Sequence, residues 1–168
     1  METPPLTPLA AAALHVGEPE RILQIQCGDG DGALFLAREF PRARVRGVDR
    51  SEQAIRRASA RVGLDPEGRV AFKVTGRGAL PFPDDLFDLV ALLDAPSPVS
   101  EVSRVLRPGG FLVLAYSRRS EAPKGLGDGL LRWRLSRRGI GLGEAVTAGD
   151  GSFSVGRLRG DDGPSVAD

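Results

Sequence analysis

The sequence predicts one α/β domain, in which helices cover both faces of a mostly parallel β-sheet. Short apolar runs alternate along the chain with segments whose apolar residues recur at helical spacing. A glycine-rich loop follows the first of these apolar runs and stands directly before a helical pattern. With 168 residues the chain is long enough for a three-layer αβα core and short for two domains.

The first half of the chain alternates predicted strands and helices. Residues 1–20 form a proline-containing leader with a short helix at Leu9–His15. The elements that follow are a strand Arg21–Gln26, a helix Ala33–Phe40, a strand Val45–Asp49, a helix Glu52–Val62 and a strand Val70–Thr75. This order is typical of βαβ units, whose parallel strands are joined by right-handed crossovers.

The second half continues the pattern and ends differently. It holds a strand Phe87–Leu93, a helix Val99–Leu106, a strand Phe111–Tyr116 and a helix Leu130–Arg138. Two β-prone segments, Gly143–Ala148 and Ser152–Leu158, then flank a Gly-Asp-Gly turn and predict an antiparallel hairpin at one sheet edge. The domain is therefore expected to cover 21–159, with a disordered tail at 160–168.

The net charge of the chain gives no reason to expect an anionic partner. There are 23 basic and 22 acidic side chains, a net charge of +1, so neither nucleic acid nor a membrane is expected without a local patch. The chain has one cysteine and no metal-ligand spacing, which fits a reducing cytoplasm. Seven basic and two acidic residues lie between Ser117 and Arg138, with Trp133. They form either a solvated helix face or a grip on an anionic acceptor or RNA.

The glycine-rich loop predicts a small-molecule cofactor site. Gly28 and Gly30 lie at a strand-to-helix junction, where free backbone N–H groups can receive a polar or anionic ligand. Asp49 follows Gly28 by 21 residues and ends the second strand, the usual place for a carboxylate that binds ribose hydroxyls. Two structural alternatives stay open: a tight turn without a ligand, and Asp49 as a cap of the helix after Ser51.

Two longer segments extend the pattern. Leu80-Pro-Phe-Pro-Asp-Asp-Leu-Phe-Asp-Leu-Val90 and Glu101-Val-Ser-Arg-Val-Leu-Arg-Pro-Gly-Gly-Phe-Leu-Val-Leu114 resemble the loop, fourth strand, helix and fifth strand of class I S-adenosylmethionine-dependent methyltransferases. The resemblance is closest to the small-molecule branch of that family. It implies a Rossmann-like, doubly wound, mostly parallel sheet with a C-terminal antiparallel hairpin. It also implies S-adenosyl-L-methionine as cofactor and a small-molecule acceptor.

The resemblance also implies which residues bind the cofactor. Gly28 and Gly30 would lie against its methionine part, and Asp49 would hold both ribose hydroxyls. The complete set of implied cofactor-binding residues is Gln26, Cys27, Gly28, Gly30, Asp49, Arg50, Gly76, Arg77 and Leu93. No metal site is implied.

Three positions depart from the family pattern. Gln24 stands where the family has an acid, Gln26 stands where it has its first glycine, and Gly76 stands where an acid often accepts the adenine amino group. These departures favour, as an alternative, a catalytically degenerate relative that keeps the fold for binding or assembly. A second alternative is a dinucleotide-binding protein, because Gly28 to Ala33 also fits the fingerprint Gly-x-Gly-x-x-Gly/Ala.

Methyl transfer from a sulfonium requires alignment more than acid or base chemistry. A general base is needed only for a hydroxyl or ammonium acceptor. The candidates are His15, Asp94 and Tyr116. Cys27 is expected to be a buried filler rather than a nucleophile, because no histidine is near it in the sequence.

Overall fold

A computed structural model describes residues 6–160 of the chain. Its helices are α1 Thr7–Ala13, α2 Asp31–Glu39, α3 Glu52–Ala60, α4 Val99–Val105 and α5 Gly125–Arg137. Its strands are β1 Arg21–Ile25, β2 Arg44–Asp49, β3 Val70–Val74, β4 Phe87–Leu93, β5 Leu106–Tyr116, β6 Ile140–Leu142, β7 Val146–Ala148 and β8 Gly151–Leu158. All eight strands join one sheet. The predicted α/β, Rossmann-like fold is confirmed.

Five parallel strands form the centre of the sheet. The order along it is β3, β2, β1, β4, β5, β8 and β6, and β7 also pairs with β8. Since the order reverses between β1 and β4, their carboxyl ends open a crevice, which is where open α/β sheets bind ligands.

The C-terminal hairpin of β7 and β8 is present as predicted: β8 pairs antiparallel with β5, and β7 pairs with the other side of β8. One further strand, β6, also pairs antiparallel with β8 on that side. The strand β6 was not predicted, because three residues are too short to show an alternating pattern.

One face of the sheet is covered by α1, α2 and α3. The short apolar side chains of α2, such as Ala33 and Leu36, pack with Ile22 and Val45 from the strands. The helix α1 adds Leu9 to the same cluster and contacts β5 and β8. The leader helix is therefore part of the core.

The other face is covered over only part of its width. There α4 and α5 pack on the central strands through Val102 and Leu135. Among the described residues, no helix joins β3 to β4, and the loop between them contributes Leu80 and Phe82 instead. The side chains of Ala71 and Lys73 on β3 are exposed as a result.

One strand and one helix begin earlier in the chain than the sequence predicts. The strand β5 begins at Leu106, which pairs with Phe87, rather than at Phe111. The Arg-Pro-Gly-Gly segment between Leu106 and Phe111 is an irregularity of the register, with a left-handed backbone at Gly109. The helix α5 begins at Gly125 rather than at Leu130, although its first turns contain three glycines. The predicted tail at 160–168 lies, apart from Gly160, outside the described residues.

Candidate functional site

A cleft of about 520 Å³ lies at the carboxyl ends of β1, β2 and β3 and is bounded also by the segment that follows β4. The residues that line it are Ile25, Gln26, Asp49, Arg50, Ser51, Thr75, Gly76, Gly78, Leu80, Pro96, Ser97, Pro98 and Glu101. Its volume lies within the range of small-molecule sites, about 300 to 1,000 Å³. The lining combines apolar side chains with a few polar groups, as such sites usually do.

The loop after β1 has a left-handed backbone at three places. The φ angles are +58° at Gln26, +54° at Gly28 and +90° at Gly30. Glycine adopts these angles without cost, whereas a side chain such as that of Gln26 adds about 1–2 kcal/mol of backbone strain. The left-handed backbone at position 26 therefore explains why the family has glycine there. This chain has glutamine at that position despite the strain.

Close packing explains why position 30 is glycine. A Cβ atom placed there would lie 2.9 Å from the ring of Phe72 and 3.0 Å from the Cβ atom of Ala58. At Gly28 the same atom would meet nothing within 4 Å. The loop is thus packed tightly against α3 and β3 at one glycine and open to solvent at the other.

The Asp49 carboxylate holds the loop in place. Its Oδ2 atom accepts a hydrogen bond from the N–H of Gly28 at 2.9 Å, and its Oδ1 atom accepts one from the N–H of Ser51 at 2.9 Å. Asp49 therefore contributes to the start of α3, which is part of the structural alternative. The cap itself is Ser51, whose side chain accepts a hydrogen bond from the N–H of Ala54. Each carboxylate oxygen can accept more than one hydrogen bond, so both remain able to bind a ligand hydroxyl.

The second departure from the family, Gln24, is accommodated inside the protein. Its side chain is 2% exposed, and its Oε1 atom has no hydrogen-bond partner within residues 6–160. A Cβ atom at Gly32 would lie 2.5 Å from its Nε2 atom. The glycine at the start of α2 thus makes room for a side chain one methylene longer than aspartate.

Residues of α4 hold the opposite wall of the cleft. Glu101 accepts a hydrogen bond from the N–H of Leu80 at 2.6 Å, and Arg104 donates to the carbonyl oxygens of Leu80 and Phe82. Arg104 also pairs with Glu101 at 2.9 Å. The hydrogen bond from Arg104 holds the pKa of the Glu101 carboxyl below its usual value. This pair anchors the long loop after β3.

Four of the predicted cofactor residues meet in the cleft: Gln26, Asp49, Arg50 and Gly76. Gly28 and Gly30 form the loop beside it, and Gly28 contacts the Asp49 carboxylate. Arg77 is exposed between Gly76 and Gly78, which both line the cleft. Leu93 is partly buried against the hydrophobic cluster to which α1 and α2 contribute.

Cys27 is buried beneath the loop. Burial, together with the negative charge of Asp49, raises the pKa of its thiol to about 12. The thiol therefore stays protonated at neutral pH, as expected for a packing residue rather than a nucleophile.

The three candidate bases lie outside the lining of the cleft. His15 follows α1, is exposed and stacks on Phe153 with 5.8 Å between the ring centroids. Asp94 directly follows β4, and its carboxylate accepts hydrogen bonds from the N–H and the hydroxyl of Ser117. Burial raises the pKa of the Tyr116 hydroxyl, with a further contribution from Asp128.

Several lining residues were not predicted, among them Thr75, Ser97 and Glu101. Ser97 follows β4, and its hydroxyl is buried without a hydrogen-bond partner in the described structure. Glu101 lies in the first turn of α4 and was not predicted to reach a site. Only its contact with Leu80, 21 residues away, brings it to the site.

Comparison with known proteins identifies the family. The sequence pattern of the methyltransferase domain family matches residues 22–110, more than half of the chain. The chain therefore belongs to this family of methyltransferase domains, whose cofactor is S-adenosylmethionine. The matched segment includes the glycine loop, Asp49 and the Arg-Pro-Gly-Gly turn.

Two curated relatives illustrate the similarity. A ubiquinone/menaquinone biosynthesis C-methyltransferase of Geobacter sulfurreducens is 35% identical over 114 residues, which are 62% of this chain and 44% of the relative. The 27-O-demethylrifamycin SV methyltransferase of Amycolatopsis mediterranei is 33% identical over 143 residues, 80% of this chain and 52% of the relative. The chain spans about half the length of these relatives.

Solved structures agree on the fold. A SAM-dependent methyltransferase from Aquifex aeolicus superposes with a TM-score of 0.73 at 21% identity and covers 93% of each chain. A methyltransferase of Haloferax volcanii in complex with the activator Trm112 gives a TM-score of 0.73 at 18% identity, covering 92% of this chain and 90% of that one. In the described part of the chain, no helix is both long enough and apolar enough to span a bilayer.

Proposed function

We propose that this protein binds S-adenosylmethionine in the cleft and transfers its methyl group to a small molecule. The observation that carries the proposal is the Asp49 carboxylate. It borders a cleft of suitable volume at the point where the strand order reverses, and it is held by the backbone of the glycine loop. Family membership favours S-adenosylmethionine over a nicotinamide dinucleotide.

Different residues of the cleft bind different parts of the cofactor. Asp49 accepts hydrogen bonds from the ribose hydroxyls, and the loop at Gly28 and Gly30 lets the methionine part approach the backbone. Ile25 and Leu80 offer apolar walls to the adenine. S-adenosylmethionine supplies an electrophilic methyl group. The protein then has to hold an acceptor in line with that group and exclude water.

Asp94 is the base that we favour for a hydroxyl or ammonium acceptor. It lies at the carboxyl end of β4, the strand next to β1, and two hydrogen bonds from Ser117 fix its carboxylate. Tyr116 is a poorer base because burial keeps its hydroxyl protonated. His15 does not line the cleft and stacks on Phe153 instead.

The test is calorimetric titration with S-adenosylmethionine of the wild type and of Asp49→Ala. We expect the substitution to weaken binding at least ten-fold, since a charged hydrogen bond contributes about 1.5–3 kcal/mol. It should also lower the melting temperature, because two backbone N–H groups lose their acceptor.

A matched variant separates these two effects. Asp65 also accepts a backbone hydrogen bond, from the N–H of Val70 at 2.9 Å, but it does not line the cleft. Asp65→Ala should destabilise the protein and leave the affinity for S-adenosylmethionine unchanged. Equal affinities of all three proteins would contradict the assignment of Asp49.

A second candidate function rests on Gln26. Its side chain lies at the cleft on a strained backbone, where the family has glycine. If this side chain takes the place of the methionine carboxylate, the protein is a non-catalytic relative that uses the fold for binding or assembly. Titration that shows no heat for the wild type and normal binding for Gln26→Gly would favour this candidate.

We also infer the class of acceptor and the location of the protein. The curated relatives are named for quinone biosynthesis and for a rifamycin, so a small organic molecule is the acceptor class that we infer. The single cysteine, buried and reduced, is compatible with a cytoplasmic location.

A further inference from the structure

The helix α5 presents apolar side chains to solvent on the side that faces away from the core. Leu126, Leu130 and Trp133 are 94%, 56% and 59% exposed. They follow one another at intervals of four and three residues, so they form one stripe. Leu135, which is fully buried, lies nine residues after Leu126, two and a half turns along the helix and thus on the opposite side.

The stripe is surrounded by positive charge. Between Lys124 and Arg138 there are five basic residues and one acidic residue, Asp128, which pairs with Arg132 at 2.9 Å. No ion pair within residues 6–160 joins Lys124, Arg134, Arg137 or Arg138 to a carboxylate. The guanidinium of Arg137 lies 5.7 Å from the centre of the Trp133 ring.

From these observations we propose that α5 is a docking surface for an anionic lipid bilayer. Helices that lie in a membrane interface combine leucine and tryptophan on one side with flanking arginine and lysine. Tryptophan prefers the headgroup level, and basic side chains are attracted to the negative surface of anionic membranes. The overall net charge of +1 does not oppose this, because the interaction depends on the local patch.

The same observations disfavour other occupants. A symmetric dimer through this stripe would place the unpaired arginines of one copy against those of the other. Single-stranded nucleic acid would use Trp133 and the arginines, but it offers no burial to Leu126 and Leu130. A bilayer accounts for the leucines and the arginines together.

The sequence supplies a direct probe, because Trp133 is the only tryptophan. Its fluorescence should shift to shorter wavelength when phosphatidylglycerol-containing vesicles are added to the full chain, and the protein should sediment with them. Pure phosphatidylcholine vesicles should bind at least about ten-fold more weakly. Raising the salt from about 0.1 M to about 0.5 M should weaken binding to the anionic vesicles.

Variants make the test specific. The double substitution Leu126→Ser/Leu130→Ser should reduce vesicle binding at least about ten-fold, and Arg134→Gln/Arg138→Gln should reduce its salt dependence. Leu64→Ser removes a leucine that is as exposed as Leu126 but lies in the loop between α3 and β3, and this variant should bind like the wild type. All of these substitutions are at the surface, so unchanged circular dichroism and unchanged S-adenosylmethionine titration are expected.

Three results would overturn the proposal. The first is that anionic vesicles neither shift the fluorescence nor sediment the wild type. The second is that the leucine variant binds them as well as the wild type does. The third is that a single-stranded oligothymidylate quenches Trp133 while vesicles have no effect, which would assign the surface to nucleic acid.

Discussion

The two walls of the cleft are built by different means. The loop after β1 is short, and its shape comes from left-handed backbone at Gln26, Gly28 and Gly30 together with the Asp49 carboxylate. The loop after β3 is long, contains no helix in the described structure and depends on Glu101 and Arg104 of α4. The first wall therefore rests on backbone sterics and on hydrogen bonds to one carboxylate, and the second on an ion pair, so they should respond to different changes.

The largest expected effect is on the first wall. Gly30→Ala should lower the free energy of unfolding by about 2–4 kcal/mol, because the new Cβ atom meets Phe72 and Ala58 on a left-handed backbone. Gly28→Ala has the same backbone strain in open space and should cost only about 1–2 kcal/mol. Chemical denaturation of both variants checks this. Equal losses would show that packing at position 30 is unimportant.

The second wall should be sensitive to charge. Glu101→Gln should cost about 1–2 kcal/mol at neutral pH, since its carboxylate accepts from Arg104 and from the N–H of Leu80. The control Glu52→Gln, in an exposed pair with Arg56 at 3.7 Å, should cost less than about 0.5 kcal/mol. A loss as small as that of the control would mean that the loop stands without the ion pair.

The lowered pKa of Glu101 predicts how the stability that it contributes depends on pH. The folded-state pKa of Glu101 is lowered, so its contribution is complete above the unfolded value of about 4.3 and is lost as the pH falls through the folded pKa. The difference in unfolding free energy between the wild type and Glu101→Gln should therefore disappear in acid. Gly30→Ala should lower the free energy of unfolding by the same amount at neutral and at acidic pH.

The smallest expected effect concerns Gln26. Replacing it by glycine removes about 1–2 kcal/mol of backbone strain and costs about 0.5–1 kcal/mol of backbone entropy, so a gain in unfolding free energy between about 0 and 1.5 kcal/mol is expected. Asp85→Gly is the control, since Asp85 has φ +56° and does not line the cleft. Both variants should be slightly stabilised, and only Gln26→Gly should bind S-adenosylmethionine more tightly. A matching gain in affinity for the control would refute a role of the Gln26 side chain.

The same division explains what could be predicted from the sequence. The first wall is encoded locally: a strand, a glycine loop and an acid 21 residues after Gly28 are visible without a structure. The second wall is not, because Glu101 and Leu80 are brought together only by the path of a loop. For the same reason the start of β5 at Leu106 and the three-residue strand β6 were missed, because their pairing comes from neighbouring strands and not from their own pattern.

The position of β8 has a consequence for how the chain folds. It is the last strand of the described chain, yet it lies inside the sheet and closes the edge of β5 by six residue pairs. Until it is added, β5 presents unpaired backbone groups, and such an edge can pair with another chain. During synthesis the parallel half can assemble first, while the sheet is completed only when the final strand emerges. Slow completion at this point would make the nascent chain prone to aggregation.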